Sequence, residues 1–263
     1  MHPITPDKSM KPYQKLAETL TPEGESLELF QHDDSFFISS NGQRLMTSLA
    51  HGSEEELARV ACQPFRSAKQ PIVLIGGLGM GFTLAAAVES LTQKGATFVV
   101  AELTDAILEW NQTHMKEMHP GLLDDPRVAV KIKPVQKIMA EADGVYSAIM
   151  LDVDNGPSAF HGEENDSLYT LEGIHLAKNA LKEGGILAVW SAYSDPKYTK
   201  LLRKAELDVS VIEVPAAHKG RKNRLHTIWL AKKGSYISQN SQDTKYGGSL
   251  TLAVLHIVLL TVW

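Results

Sequence analysis

Two places along the 263-residue sequence hold residue types whose chemistry depends on what the chain sets beside them. The first is Gly76-Gly77-Leu78-Gly79-Met80-Gly81, between the apolar run Ile72-Val73-Leu74-Ile75 and a stretch of helical spacing that opens near Phe82. Glycines at a strand-to-helix turn let the backbone bend sharply and let a ligand come against the main chain. Glu102 closes the next expected strand, about twenty residues beyond Gly81, the interval at which a carboxylate accepts from ribose hydroxyls. Gly76, Gly77, Gly79, Gly81 and Glu102 are therefore the candidate residues for holding a nucleoside. The competing reading is a tight turn with a surface glutamate. No Gly-Lys-Ser/Thr follows the glycines, which disfavours a nucleoside triphosphate loop.

The second place is Tyr146-Ser147-Ala148-Ile149-Met150-Leu151-Asp152-Val153-Asp154-Asn155-Gly156-Pro157. An apolar strand here delivers Asp152, then Asp154, to the carboxyl edge of a sheet, where open α/β sheets bind ligands. A carboxylate in that position can hold an ammonium group or take its proton, so Asp152 is the candidate catalytic residue. Asp154, Asn155 and Tyr193 are candidates for the substrate side, against a plainer reading in which the acids cap the following loop. His161 with Glu163 and Glu164 reads as a surface loop near that edge. The basic run His218-Lys219-Gly220-Arg221-Lys222-Asn223-Arg224 reads as a solvated hairpin loop, and Trp190 as core.

These residues need elements to position them. Leu27–His32, Ser35–Ser39 and Gln43–Met46 are short strand-like runs, the last two joined by Asn41-Gly42, a favoured hairpin turn. Ser53 suits a helix N-cap, followed by three glutamates at the positive end of the helix dipole. From Pro71 onward, apolar strands at 72–75, 97–101, 128–132, 148–151 and 186–190 alternate with helical stretches at 82–93, 105–118 and 168–182. The last of these stops at Gly184-Gly185. Two more strands, 209–214 and 227–231, follow without a helix between them. The pattern predicts an α/β fold with a mostly parallel seven-stranded, Rossmann-like sheet covered on both faces. Residues 1–52 would form a small N-terminal β unit, 53–234 the Rossmann-like domain, and 235–263 a linker and apolar tail outside the fold.

Composition bounds the rest. An apolar share of 43% supports a substantial core, and a net charge of -5 argues against a nucleic-acid footprint. Cys62, the single cysteine, excludes an intrachain disulfide and a cysteine zinc site, so no metal is expected. The N-terminus lacks an apolar signal core, and the apolar stretch Leu250–Trp263 is short of the roughly 20 residues that span a bilayer. The cytoplasm is the expected location.

In order along the chain, Pro71–Gly77, the Glu102 strand, Asp125-Pro126-Arg127-Val128 and the Asp152 loop resemble the spermidine synthase (polyamine aminopropyltransferase) family. That family has the adenosylmethionine-dependent methyltransferase fold with a small β unit ahead of it. The resemblance covers about Leu27 to Ser191. It implies that the glycine loop cradles decarboxylated S-adenosylmethionine, that Glu102 holds its ribose, and that Asp152 orients and deprotonates an attacking amine. It further implies a small-molecule amine as acceptor, and a homodimer as the assembly to test. The sequence also departs from the family. Leu78-Gly79-Met80 replaces the acidic part of the glycine loop, Lys133-Pro134 stands where the family has Gly-Asp, and Asn155 replaces a second acid. The N-terminal Asp-Gly substrate motif is missing around Met46–Leu49. Two other readings therefore stay open: a small-molecule methyltransferase using S-adenosylmethionine, and a catalytically silent nucleoside-binding relative.

Overall fold

Among the described residues, strand runs and helical stretches condense into two sheets flanked by six α-helices. The computed structural model describes residues 13–21, 24–153, 156–157, 167–216 and 224–234. Four antiparallel strands come first: β1 (Gln14–Leu20), β2 (Ser26–His32), β3 (Ser35–Ser40) and β4 (Gln43–Thr47). Asn41 and Gly42 turn β3 into β4 with φ of 48° and 76°, the left-handed pair that a tight hairpin needs. β1 is an addition to the strands expected from sequence. Its residues QKLAETL do not alternate cleanly and none is fully buried, so it pairs with β2 without displaying a buried face.

The large sheet holds β5 (Ile72–Gly76), β6 (Thr97–Glu102), β7 (Val128–Ile132), β8 (Tyr146–Leu151), β9 (Leu181–Ser191), β10 (Asp208–Pro215) and β11 (Leu225–Lys232). Its order is β10-β11-β9-β8-β5-β6-β7; β5 to β9 run parallel, and β11 is antiparallel to both β9 and β10. This is the mostly parallel seven-stranded sheet expected from the sequence, with its separate small antiparallel sheet ahead of it. Chain progression reverses direction between β5 and β8, so the carboxyl ends of those two strands flank the crevice where such sheets bind ligands.

Both faces of the sheet are covered. α1 (Gly52–Cys62), α2 (Phe82–Ser90) and α3 (Asp105–Gln112) pack on one side through Leu57, Leu84 and Trp110. α4 (Val135–Ala140), α5 (Leu171–Ala180) and α6 (Pro196–Lys204) pack on the other through Met139, Ile174 and Leu202. Neighbouring residues of β5 divide accordingly: Val73 and Ile75 join the first layer and Leu74 the second. Each side chain of this size contributes about 1.5–3 kcal/mol on full burial. Leu27, Leu29 and Ile38 of the small sheet belong to the same cluster as α1 to α3, so the two sheets share one core.

Several boundaries differ from the sequence reading for local reasons. Ser53 is not an N-cap: it lies inside α1, fully buried, and His51 holds the cap position. The second helix ends at Ser90, and the Arg127 guanidinium donates to the Leu91 carbonyl just beyond it. α3 ends at Gln112 because Thr113 leaves the helical region (φ -116°, ψ -84°). α5 ends at Ala180, and Leu181 immediately extends to begin β9, carrying Gly184-Gly185 within the strand. α4 and α6 are additional helices. Asp195 caps α6 by accepting from the Lys197 and Tyr198 amides ahead of Pro196 at the first helical position. Cys62 is buried in an apolar setting that pushes its thiol up to about 12, which makes it inert.

Candidate active site

β5 delivers the glycine loop and β8 delivers Asp152 to the same edge of the sheet. Gly76 pairs with Leu151 across the two strands, and the Asp152 amide donates to the Gly76 carbonyl at 3.0 Å. Gly77 and Gly79 then turn at φ of 92° and 52°. A Cβ on Gly77 would stand 2.5 Å from the Asp152 carbonyl oxygen, so a side chain there would force apart the two backbones that frame the site. A Cβ on Gly79 would meet Met46 Sδ at 3.3 Å, which brings β4 of the small sheet against the loop.

The Glu102 carboxylate is held by the backbone around it. One oxygen accepts from the Leu78 amide at 2.9 Å, the other from Leu103 and Thr104 at 2.8 and 3.0 Å. Burial pushes its pKa up, while these amides stabilise the anion and hold it down. Glu102 therefore ties the glycine loop to the start of α3. Asp125-Pro126-Arg127 has a structural part as well: Arg127 forks onto Asp125 and donates to the Leu91 carbonyl, closing the sheet's lower end.

At the end of β8, Asp152 Oδ2 accepts from the Thr83 hydroxyl at 2.5 Å. Burial raises its carboxyl from the usual range to about 6, with the Thr83 bond opposing the shift. Glu54, in the first turn of α1, is pushed up to about 8 by burial and then by the negative charge of Asp152, against the Ser53 hydroxyl. The site thus contains two interacting carboxyls. Sequence reading assigned Glu54 to the helix dipole, and its proximity to Asp152 depends on how α1 packs on the sheet.

A cavity of about 500 Å³ opens over this edge. Its walls bring together Gly77, Gly79, Glu102 and Asp152, with Ile107 and Val135 as apolar surface and Leu45 and Met46 reaching in from β4. Gly76 and Gly81 lie outside its lining: Gly76 ends β5, and Gly81 caps α2. Tyr193 is also outside it, 56% exposed with the Arg224 guanidinium 4.7 Å above its ring. Trp190 is buried, as expected, and its indole N–H donates to Ser53 Oγ at 3.0 Å. Lys133 and Pro134 line the cavity, and Lys133 pairs with Glu141. Asp154, Asn155, His161, Glu163, Glu164, the basic run through Asn223 and the tail lie outside the described residues. The wall from β4 and the hydroxyl of Thr83 had no signal in sequence, since both come from contacts between distant segments.

No protein-family model matches the chain. Among curated proteins, it is 28% identical over 133 residues to polyamine aminopropyltransferase 2 of Pseudomonas aeruginosa, covering 48% of this chain and 35% of that protein. It is 29% identical over 190 residues to the polyamine aminopropyltransferase of Mycobacterium tuberculosis, covering 70% of this chain and 32% of that one. The chain resembles the polyamine aminopropyltransferases. It spans about a third of the length of these two relatives. Among solved structures, spermidine synthase from Thermotoga maritima superposes with a TM-score of 0.66 at 18% identity, over 93% of this chain and 83% of that one. A spermidine synthase in complex with the transition-state analogue AdoDATO gives 0.65, also at 18% identity, over 93% and 82%. The polyamine aminopropyltransferase likeness thus rests on sequence over part of the chain and on fold over nearly all of it.

Proposed function

We propose that this chain is a spermidine synthase-like transferase that binds decarboxylated S-adenosylmethionine, or a related sulfonium nucleoside, and passes its aminopropyl group to a small-molecule amine. The observation that carries the reading is the meeting of Gly77, Gly79, Glu102 and Asp152 in one cavity at the sheet's switch point. Its volume of about 500 Å³ suits a nucleoside-sized ligand. The apolar surface of Ile107 and Val135 suits an adenine ring, and Glu102, at the β6 end, is the residue to accept from ribose hydroxyls. The reading implies a cytoplasmic small-molecule reaction.

In the proposed reaction an amine nitrogen attacks the carbon beside the sulfonium. A carbon–nitrogen bond forms, the carbon–sulfur bond breaks with its electrons on sulfur, and the nitrogen gives up a proton. Asp152 is the residue to hold the ammonium and take that proton. With its carboxyl near 6 it is mostly ionised at neutral pH yet basic enough to compete, the range in which general bases work best. Thr83 fixes one carboxylate oxygen, leaving the other for the amine. Leu45 and Met46 close one wall with apolar surface, so that positioning and removal of water supply much of the effect.

A second reading, methyl transfer from intact S-adenosylmethionine in the same pocket, is favoured by Lys133 and Pro134. They line the cavity where the aminopropyltransferase pattern has an acid. Calorimetry with decarboxylated S-adenosylmethionine, S-adenosylmethionine and methylthioadenosine separates the readings, combined with product analysis on putrescine, cadaverine, spermidine and neutral methyl acceptors. Aminopropyl transfer to any amine supports the proposal. Methyl transfer alone replaces it with the second reading, and nucleoside binding without turnover on any pair leaves a binding relative.

A further inference from the structure

We infer that Tyr169 is a positioning residue for Asp152: its hydroxyl fixes the peptide that follows the acid and so sets where the carboxyl points. The effect on turnover rests on the amine-attack reading above; the positioning itself does not.

Asp152 stands where the chain leaves the sheet. β8 keeps register with β5 and β9 up to Leu151. The Asp152 amide still donates to the Gly76 carbonyl at 3.0 Å, and its own carbonyl lies against Gly77, 2.5 Å from where a Cβ would stand there. One residue on, the hold comes from elsewhere. The Tyr169 hydroxyl donates to the Val153 carbonyl at 3.0 Å, from 16 residues further along the chain. The main chain is thus tied on both sides of Asp152, by the sheet before it and by Tyr169 after it. A stretch this short, fixed at both ends, leaves the Asp152 side chain little choice of direction. That direction is the one in which Oδ2 meets the Thr83 hydroxyl.

A hydroxyl positions its partner only as firmly as its own ring is held. Tyr169 is 9% exposed, and its ring meets Tyr198 of α6 edge to face, with centroids 5.8 Å apart at 80°. Tyr198 meets Trp229 of β11 in the same way, at 5.2 Å and 86°. Such contacts set the positive edge of one ring against the negative face of the next, so each ring fixes the tilt of its neighbour. At the far end the Trp229 indole N–H donates to Thr199 Oγ1 at 2.8 Å. The backbone of Tyr169 is held as well. It closes a short 3₁₀ turn, Ser167–Tyr169, and is followed by Thr170, whose hydroxyl accepts from the Gly173 amide at 3.1 Å to cap α5. A Cβ on Gly173 would stand 2.2 Å from the Ser167 carbonyl oxygen, so glycine lets the turn lie directly on the helix.

The two neighbouring tyrosines differ in one respect. Tyr198 Oη is buried with no hydrogen-bond partner among the described residues, whereas Tyr169 Oη has the Val153 carbonyl. Phenylalanine would serve the ring packing at either position, because a buried hydroxyl helps only where it is bonded. At 169 it is bonded, and to the residue directly after the acid. Tyr169 is outside the lining of the cavity, so it acts through Asp152 and not on a ligand.

Amide hydrogen exchange, read by NMR on the full chain, tests the positioning without any substrate. In Tyr169→Phe the Asp152 amide should exchange about tenfold faster or more, while the Ile149 amide inside β8 keeps its rate. Tyr198→Phe, which keeps the ring and removes the unpartnered hydroxyl, should change neither. An unchanged Asp152 rate in Tyr169→Phe overturns the positioning, whatever the chain's activity. Equal acceleration in both variants overturns it too, because the effect would then come from ring packing. For turnover, Tyr169→Phe should lower kcat about tenfold or more, with methylthioadenosine affinity and melting temperature near those of the unaltered chain. A normal kcat, or equal losses in kcat and nucleoside affinity, overturns the link to catalysis. Absence of turnover in the unaltered chain on every donor and acceptor pair overturns the transferase reading instead, and exchange still decides the positioning.

Discussion

Asp152 and Glu54 differ in how far their roles can be separated from the fold. Asp152 stands at the end of a buried strand, facing the cavity, with one oxygen tied to Thr83. Asn at this position keeps the shape and removes the base. In Asp152→Asn, kcat should therefore fall about 10²–10⁴-fold while nucleoside affinity, measured by calorimetry, stays near the original value. Equal losses in both would mean that Asp152 is part of the binding surface only. Glu54 shows itself in stability. Its folded pKa of about 8 lies above the ordinary glutamate value of 4.5, so between those pH values the folded chain binds more protons than the unfolded one. Its favourable contribution is full below about 4.5 and is lost as pH rises through about 8. Asp152 adds the same sign between 3.8 and about 6. Urea midpoints at pH 5, 7 and 9 should fall with pH, and Glu54→Gln should flatten that decline. An equally steep decline in the variant would contradict the assignment.

At the scale of elements, the decisive contact is the parallel pairing of β5 and β8 up to their carboxyl ends. Gly77 has φ of 92°, and its missing side chain leaves room for the Asp152 carbonyl. Gly77→Ala combines a left-handed backbone with a 2.5 Å clash against main chain, so it should cost about 1–3 kcal/mol. Nucleoside binding should weaken with it, since Asp152 must move. A melting temperature and an affinity both unchanged would show that the loop has another way to turn. Much of this level was readable. The strands from β5 onward announce themselves as apolar runs, and Asn41-Gly42 as a hairpin. β1 was not readable, because its mixed residues are chosen by β2 alone. Nor was the position of Ser53. A serine before three glutamates looks like a cap, and only the packing of α1 against β9 and β11 turns its hydroxyl to Trp190 and His226.

For the molecule as a whole, the eleven strands among the described residues lie within 14–232. A chain ending at residue 234 loses none of them and should melt within a few degrees of the full chain, as followed by circular dichroism. A large drop would place the apolar stretch Leu250–Trp263 in contact with the core. The small sheet is different. Leu27, Leu29 and Ile38 sit in the cluster shared with α1 to α3, and Leu45 and Met46 wall the cavity, so this unit belongs to both the core and the site.

What the sequence by itself determined is the set of features that are local. Period and composition select strands and helices, and their alternation implies a parallel sheet with helices on both faces. Glycines between a strand and a helix, an acid at the next strand end and an acid at the fourth point to one ligand edge, because parallel strands all present their carboxyl ends to the same side. Only the tertiary structure decided which residues face each other across that edge. It placed Gly77, Gly79, Glu102 and Asp152 in one cavity and left Tyr193 outside it. It also set Glu54 close enough to Asp152 for the Asp152 charge to help raise the Glu54 carboxyl. Residues almost a hundred positions apart have no shared pattern for sequence to display. Their meeting follows from how α1 packs on the sheet, and with it comes the low-dielectric surrounding that raises both carboxyls above their ordinary range.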